Sequence, residues 1–421
     1  MRDRILLCLA HMSGKEMDYI KEAFDANWVV PMGPNVNGFE EDLEKFVNRR
    51  DNQPPLHKSV VGLSAGTAAV HLALIACGVG PGDEVLVQSF TFCASSHPIT
   101  YLGATPVFVD SERETWNMDP DLLEEAIRDR IEKTGRKPKA IIPVALYGMP
   151  YQIDRIMEIA DRYDIPVIED AAEGFGSKFD GQILGTFGRY GVLSFNGNKI
   201  ITTSGGGALI CPDKEAKNEI LFYATQARES YPYYQHEHIG YNYRMSNICA
   251  GIGRGQMTIL DEHIAHHKHV QQLYTELLGD LQGFTMHQNP GPEYDSNFWL
   301  CAAILDKDIR IKGQDEAYKS VITGAVGGAA GVTHAAATAV TDCQPDANVE
   351  ALRVFLDKAN IEARPLWKPM HRQPVYRNAP AYVNGVSEDL FHSGICLPAG
   401  PFVSDDDVRY IADHIRAAID D

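Results

Sequence analysis

Short apolar runs alternating with stretches of helical periodicity organise the first half of the chain. Val60-Val61-Gly62-Leu63, Glu84–Gln88, Pro106–Asp110, Ala140–Ala145, Pro166–Asp170 and Ala208–Cys211 read as strands. Between them, Ala68–Cys77, a segment from Asp119-Pro120 to about Lys133, and Tyr151–Tyr163 read as helices, with Asp119 as N-cap and Pro120 at the first helical position. Strands that alternate with helices imply βαβ crossovers and a mainly parallel sheet. In such sheets ligands bind at the carboxyl ends of the strands, so residues at those ends become site candidates.

The flanks differ. Ser13 and Glu16 have the spacing of a capping box, which predicts a helix from near Gly14 towards Ala26, and a second helix follows over Gly38–Asn48. Polar-aromatic Ile239–Asn247 reads as a loop leading into a helix over Ile248–Leu260. Beyond that point the alternation changes: a long helix to about Leu281 leads to an Asn297–Leu305 strand and a Val349–Lys358 helix. The expected organisation is a large domain over residues 1–262, with an N-terminal lead-in, and a smaller α+β domain over residues 263–421. Gly324–Val340 is biased towards Gly and Ala and reads as a surface loop with no assigned function. His263, His266, His267 and His269 read as a solvated helix face, since no carboxylate or cysteine set completes a metal shell. Arg364–His371 is too polar and proline-rich for core and is a candidate lining of a substrate mouth.

At 421 residues the chain can bury a sizeable interior, and 44% hydrophobic with 23% charged residues is a soluble globular composition. The net charge of −19 repels nucleic-acid backbones and anionic membranes, so an anionic ligand needs a locally built pocket. Eight scattered cysteines without a C-x-x-C pair read as reduced thiols. With no signal-peptide core in Ile5–Ala10 and no long apolar segment, a cytoplasmic location is expected.

Five positions carry candidate chemistry. Ser64-Ala65-Gly66-Thr67 joins a strand to a helix and is either a simple N-cap or a phosphate cradle of free N–H groups. Phe92 at the end of a strand is either core or a platform for a flat ring. Asp170 at another strand end is a helix N-cap or the partner of a bound cation, and Glu173 is similarly placed. Lys199, in SFNGNKIITTSGGG, is an ordinary loop lysine or a reactive amine; partial burial disfavours a lysine's charged form and frees the nitrogen as nucleophile or proton carrier. Together these are the parts that hold pyridoxal phosphate: a phosphate cradle, an aromatic cover, a carboxylate for the pyridine nitrogen and a Schiff-base lysine.

The motifs QSFTFCASS, PVFVD, VIEDAAEGFGS, SFNGNK and GYNYRMSN resemble those of the DegT/DnrJ/StrS group of fold type I, pyridoxal phosphate-dependent sugar aminotransferases, from about Trp28 to the C-terminus. The resemblance implies an α/β fold with a seven-stranded-type, mainly parallel sheet plus the smaller α+β domain. It implies Lys199 as Schiff-base lysine and proton shuttle, Asp170 as pyridinium partner, Phe92 as stacking ring, and Gly66, Thr67 and Ser194 as phosphate ligands. Glu173 stands where glutamine is usual and faces the cofactor's hydroxyl. Asn242 would reach the cofactor phosphate of a neighbouring subunit, which implies a homodimer with shared active sites. The implied reaction moves an amino group from L-glutamate through pyridoxamine phosphate to a nucleotide-linked keto sugar. WKPMHRQPVY most resembles members acting on UDP-linked 4-keto-6-deoxy N-acetyl sugars, with Lys368 and His371 as candidate sugar-nucleotide contacts. The alternatives are a GDP- or dTDP-linked substrate, and a non-catalytic regulatory protein on the same fold; a sugar dehydratase of the group would carry histidine in place of Lys199.

Overall fold

In the computed structural model, residues 2–318 and 343–419 are described; the Gly324–Val340 segment lies outside them. The large sheet is built from β1 (Ser59–Leu63), β2 (Glu84–Gln88), β3 (Thr105–Val109), β4 (Ala140–Ile142), β5 (Ile168–Asp170), β6 (Tyr190–Ser194) and β7 (Gly207–Cys211). Its spatial order is β3-β2-β4-β5-β6-β7-β1, with β4 and β5 joined by isolated parallel bridges, Ile141 to Val167 and Val144 to Asp170. Only β7 runs antiparallel to its neighbours, and Ala381–Tyr382 adds a short parallel strand outside β3.

Side-chain alternation explains why these strands are apolar throughout. Val85, Val87 and Phe108 enter one core on one face of the sheet, while Leu86, Val107 and Val109 enter another on the opposite face. A sheet covered on both faces needs hydrophobic residues at successive positions, as parallel sheets do.

A second core brings together Phe284–Met286, Cys301–Leu305 and Gly394–Leu397, with Leu352, Leu356, Ile411 and Ile415 from the helices Ala347–Lys358 and Asp405–Ala418. Ile5 joins it through a bridge to Ile361. The helix Leu260–Leu278 serves both cores, Leu260 and Ile264 in the first and Val270, Tyr274 and Leu278 in the second. The expected boundary at residue 262 therefore falls within this helix.

Three local expectations are corrected. Helix Glu16–Asp25 has half of the expected capping box: Glu16 accepts from the Ser13 and Gly14 N–H groups, but the Ser13 hydroxyl accepts from Lys15 N–H, not from Glu16. His263 and His267 are buried, because the long helix is packed on two sides, and only His269 meets the solvated reading, paired with Asp405. Within Arg364–His371, Leu366 and Met370 are core residues, the first packed in one hydrophobic cluster of the large domain and the second in another.

Candidate active site

The carboxyl ends of β1, β5 and β6 open on one side of the large sheet, and the candidate residues gather there. The helix Gly66–Ala76 begins directly after β1, with extended Ala65 as N-cap and no side chain capping it. Its first N–H groups are thus available to an anion, with the helix dipole behind them. The opening is kept by small residues. A Cβ at position 66 would lie 3.2 Å from the Ser194 Cβ, and one at position 207 would lie 2.4 Å from the Gly66 nitrogen. Ser194 ends β6 beside this helix start, so Gly66, the first helical residue, packs against it, and the uncapped N–H groups with a nearby hydroxyl are donors of the kind a phosphate takes.

Asp170 ends β5 and is 5% exposed. Ser95 donates its hydroxyl to Oδ2 at 2.6 Å, and the Ala172 N–H donates to Oδ1 at 3.1 Å. Burial pushes its carboxyl up, against the Ser95 hydrogen bond and the charge of Lys199. A buried carboxylate held this way is stabilised most by a cationic partner, which is what a protonated pyridine supplies.

Lys199 and Glu173 form the centre. Lys199 Nζ lies 3.4 Å from Glu173 Oε1 and 4.0 Å from the ring centroid of Trp299. Glu173 Oε2 accepts from the Tyr147 N–H at 2.7 Å. Burial pushes the Glu173 carboxyl up to about 7, in spite of Lys199 beside it. The carboxyl therefore changes charge close to neutral pH, within reach of the lysine nitrogen.

Phe92 is 56% exposed, which removes the core alternative; its ring faces Trp367 with 5.5 Å between centroids. Asn242 is exposed, opposite Thr225 in an isolated antiparallel bridge, and is not among the groups gathered around Lys199. Lys368 is partly buried, with its carbonyl accepting from Gln373. Both ring nitrogens of His371 are engaged inside the chain, Nδ1 with the Ser89 hydroxyl at 2.7 Å and Nε2 with Glu388 at 3.1 Å.

Sequence reasoning missed Tyr147, Asn297 and Trp299 as members of this site, and placed Trp367 only within a candidate substrate mouth. Tyr147 has φ +53, gives its N–H to Glu173, and accepts the Trp367 N–H on its hydroxyl at 2.9 Å. Trp299 and Asn297 sit about a hundred residues beyond Lys199 at the start of the second lobe, and no local pattern marks them. Ser95 lies within QSFTFCASS, in the short turn Cys93–Ser95 that follows strand β2, and only the motif as a whole pointed to it.

A seven-stranded α/β sheet, an uncapped helix start beside a serine, a strand-end aspartate and a lysine facing a carboxylate define a fold type I aminotransferase. The DegT/DnrJ/EryC1/StrS aminotransferase family matches residues 11–329 and 318–416, and the chain belongs to that family. It is similar to EpsN of Bacillus subtilis (strain 168), provisionally named a pyridoxal phosphate-dependent aminotransferase: 42% identity over 414 residues, covering 97% of this chain and 94% of that protein. The GDP-perosamine synthase of Escherichia coli O157:H7 is 34% identical over 405 residues, 96% of each chain. Among solved structures, a DegT DnrJ EryC1 StrS aminotransferase from Brucella abortus superposes with a TM-score of 0.79 at 26% identity, covering 96% of this chain and 95% of that one.

Proposed function

We propose that this enzyme uses pyridoxal phosphate to transfer an amino group from L-glutamate to the 4-keto group of a nucleotide-linked 4-keto-6-deoxy sugar. The observation that carries this reading is the contact between part-buried Lys199 and buried Glu173, 3.4 Å apart, next to a strand-end carboxylate and a helix start open to a phosphate. When bound, the cofactor supplies an aldehyde carbon and a ring that takes up electrons from the bond being broken.

The chain's own residues would do the rest. The N–H groups of Gly66 and Thr67 and the Ser194 hydroxyl bind the phosphate, and Asp170 keeps the ring nitrogen protonated. Phe92 covers one ring face. Lys199 Nζ would hold the cofactor by its aldehyde carbon and, once free, would carry the proton removed from the donor's α-carbon. Glu173 Oε1, in contact with that nitrogen and titrating near neutrality, takes or returns the proton that the lysine moves. In the second half-reaction the same groups act in reverse on the sugar ketone. Exposed Asn242 fits a contact to a second copy, which supports a homodimer with shared sites.

The WKPMHRQPVY stretch supports a UDP-linked sugar. Of its two candidate contacts, His371 is engaged by Ser89 and Glu388, so direct contact with the sugar nucleotide falls to Lys368. A GDP-linked sugar is the second reading, favoured by the full-length similarity to GDP-perosamine synthase. Mass-spectrometric assay of purified protein with glutamate and UDP-, GDP- and dTDP-linked 4-keto sugars separates them. Conversion of the UDP sugar is expected; conversion of the GDP sugar alone would replace the first reading by the second, and no conversion of any would overturn both.

A further inference from the structure

The segment Asn297-Phe298-Trp299 reaches from the start of the second lobe into the site and touches both members of the Lys199–Glu173 pair. Asn297 Nδ2 donates to the Glu173 carbonyl at 2.8 Å and to the Phe175 carbonyl at 3.0 Å, and its Oδ1 accepts the Trp299 N–H at 2.8 Å. Trp299 is 2% exposed and donates its indole Nε1–H to the Asn198 carbonyl at 2.6 Å, one residue before the lysine. Its ring face stands 4.0 Å from Lys199 Nζ. Phe298 between them has φ +49, a left-handed conformation uncommon for a side chain of that size. Opposite, Gly148 at φ +96 leaves room that no other residue would: a Cβ there would fall 1.9 Å from Asn297 Oδ1.

We propose that Trp299 is a positioning residue for Lys199, holding the free amine between the indole face and the Glu173 carboxyl group. An ammonium over an indole is stabilised by the ring quadrupole, more so when water is excluded. The lysine would leave the reacting carbon in the first half-reaction and rejoin it only at the end of the second, so its nitrogen is free in between. A face for the charged nitrogen on one side and a proton acceptor on the other gives it one resting place. The backbone hold on Asn198 fixes where the lysine's stem begins, so both ends of the side chain are set by one tryptophan.

This proposal rests on Lys199 being the reactive amine, and its test separates the two. In cofactor-free protein, trace acylation with acetic anhydride at neutral pH, read by peptide mass spectrometry, gives the labelling rate of Lys199 relative to exposed Lys15. Trp299→Leu keeps apolar bulk but removes the ring face. It is expected to raise that ratio about two- to tenfold, as loss of a cation–π contact of ordinary strength requires. Trp299→Phe, which keeps a ring face, is expected to restore most of the wild-type ratio. Protein made with polyfluorinated tryptophan keeps the shape and drains the ring of electron density, so its ratio should also rise, whether or not the leucine variant folds. An unchanged ratio in the fluorinated protein would overturn the proposal, as would a phenylalanine variant that labels like the leucine one. Borohydride fixation of pyridoxal phosphate on Lys199 in the wild type, measured alongside, tests the underlying reading independently.

Discussion

Two glutamates four residues apart, Glu169 and Glu173, are both buried beside β5, yet the chain treats them in opposite ways. Glu169 receives three backbone N–H groups, from Gly185 at 3.0 Å and from Phe187 and Gly188 at 2.6 Å each. It is a fastener that ties a turn to the sheet; the Tyr151 hydroxyl and the charge of Lys58 also act on it, and among the described residues it has no ion pair. Glu173 receives one backbone N–H and faces a lysine at 3.4 Å, and its carboxyl sits close to 7. Burial raises both carboxyls. The difference lies in what the second oxygen meets: fixed amides in one case, a mobile amine in the other. A buried carboxylate is structural where both oxygens are held by fixed donors, and chemical where one oxygen is left to a group that can move.

The strongest way to break this comparison is to remove the amine. Lys199→Ala should lower transamination by roughly a thousandfold or more while the protein stays folded, since Glu173 can take up a proton when its partner is gone. Activity near wild type, measured with glutamate and the accepted sugar, would sever the pair from the chemistry.

The second test uses proton linkage. Folding raises Glu173 from 4.5 to about 7, so the native state holds a proton that the unfolded state releases between those values. Its contribution to stability is therefore greatest below about 4.5 and is lost as pH rises to about 7; at ~1.4 kcal/mol per tenfold this amounts to roughly 3 kcal/mol. Urea midpoints of wild type and Glu173→Gln, compared from acid to slightly alkaline pH, should drift in favour of the variant as pH rises. Parallel curves would mean that Glu173 titrates as an ordinary carboxyl.

At Glu169 the expectation reverses. Glu169→Gln points an amide donor at a turn that offers only donors, which should cost about 2 kcal/mol by urea unfolding. The kcat of the folded fraction should stay near wild type, and a kcat loss without a stability loss would merge the two glutamates into one class.

The smallest effect is expected at the phosphate recess. Gly66→Ala places a Cβ 3.2 Å from the Ser194 Cβ. It should weaken pyridoxal phosphate binding about tenfold, equal to ~1.4 kcal/mol, by equilibrium titration of cofactor-free protein.

The sheet was legible because its physics is local. Runs such as Val85–Val87 and Ala208–Cys211 are apolar at successive positions, and they lie within the strands Glu84–Gln88 and Gly207–Cys211. Asp170 could be placed at the mouth of the sheet for the same reason, whereas strand Tyr190–Ser194 was not expected and Ser194 entered only through the resemblance. What stayed hidden depends on contacts across hundreds of residues. The burial of His263 and His267 follows from packing on both sides of one helix, which a histidine spacing does not encode. Trp299 over Lys199, and Tyr147 bridging Glu173 to Trp367, are joined only by the fold. His371 looked like a free ligand contact in a polar stretch, whereas Ser89 and Glu388, one of them 282 residues away, occupy both its nitrogens.

The central claim is that Lys199 is the amine that engages the cofactor. Protein loaded with pyridoxal phosphate, reduced with borohydride, digested and mapped by mass spectrometry tests it most directly. The reduced pyridoxyl group should appear on Lys199 and be absent from Lys199→Ala. A label on any other lysine, or none on a protein that binds the cofactor, would contradict it.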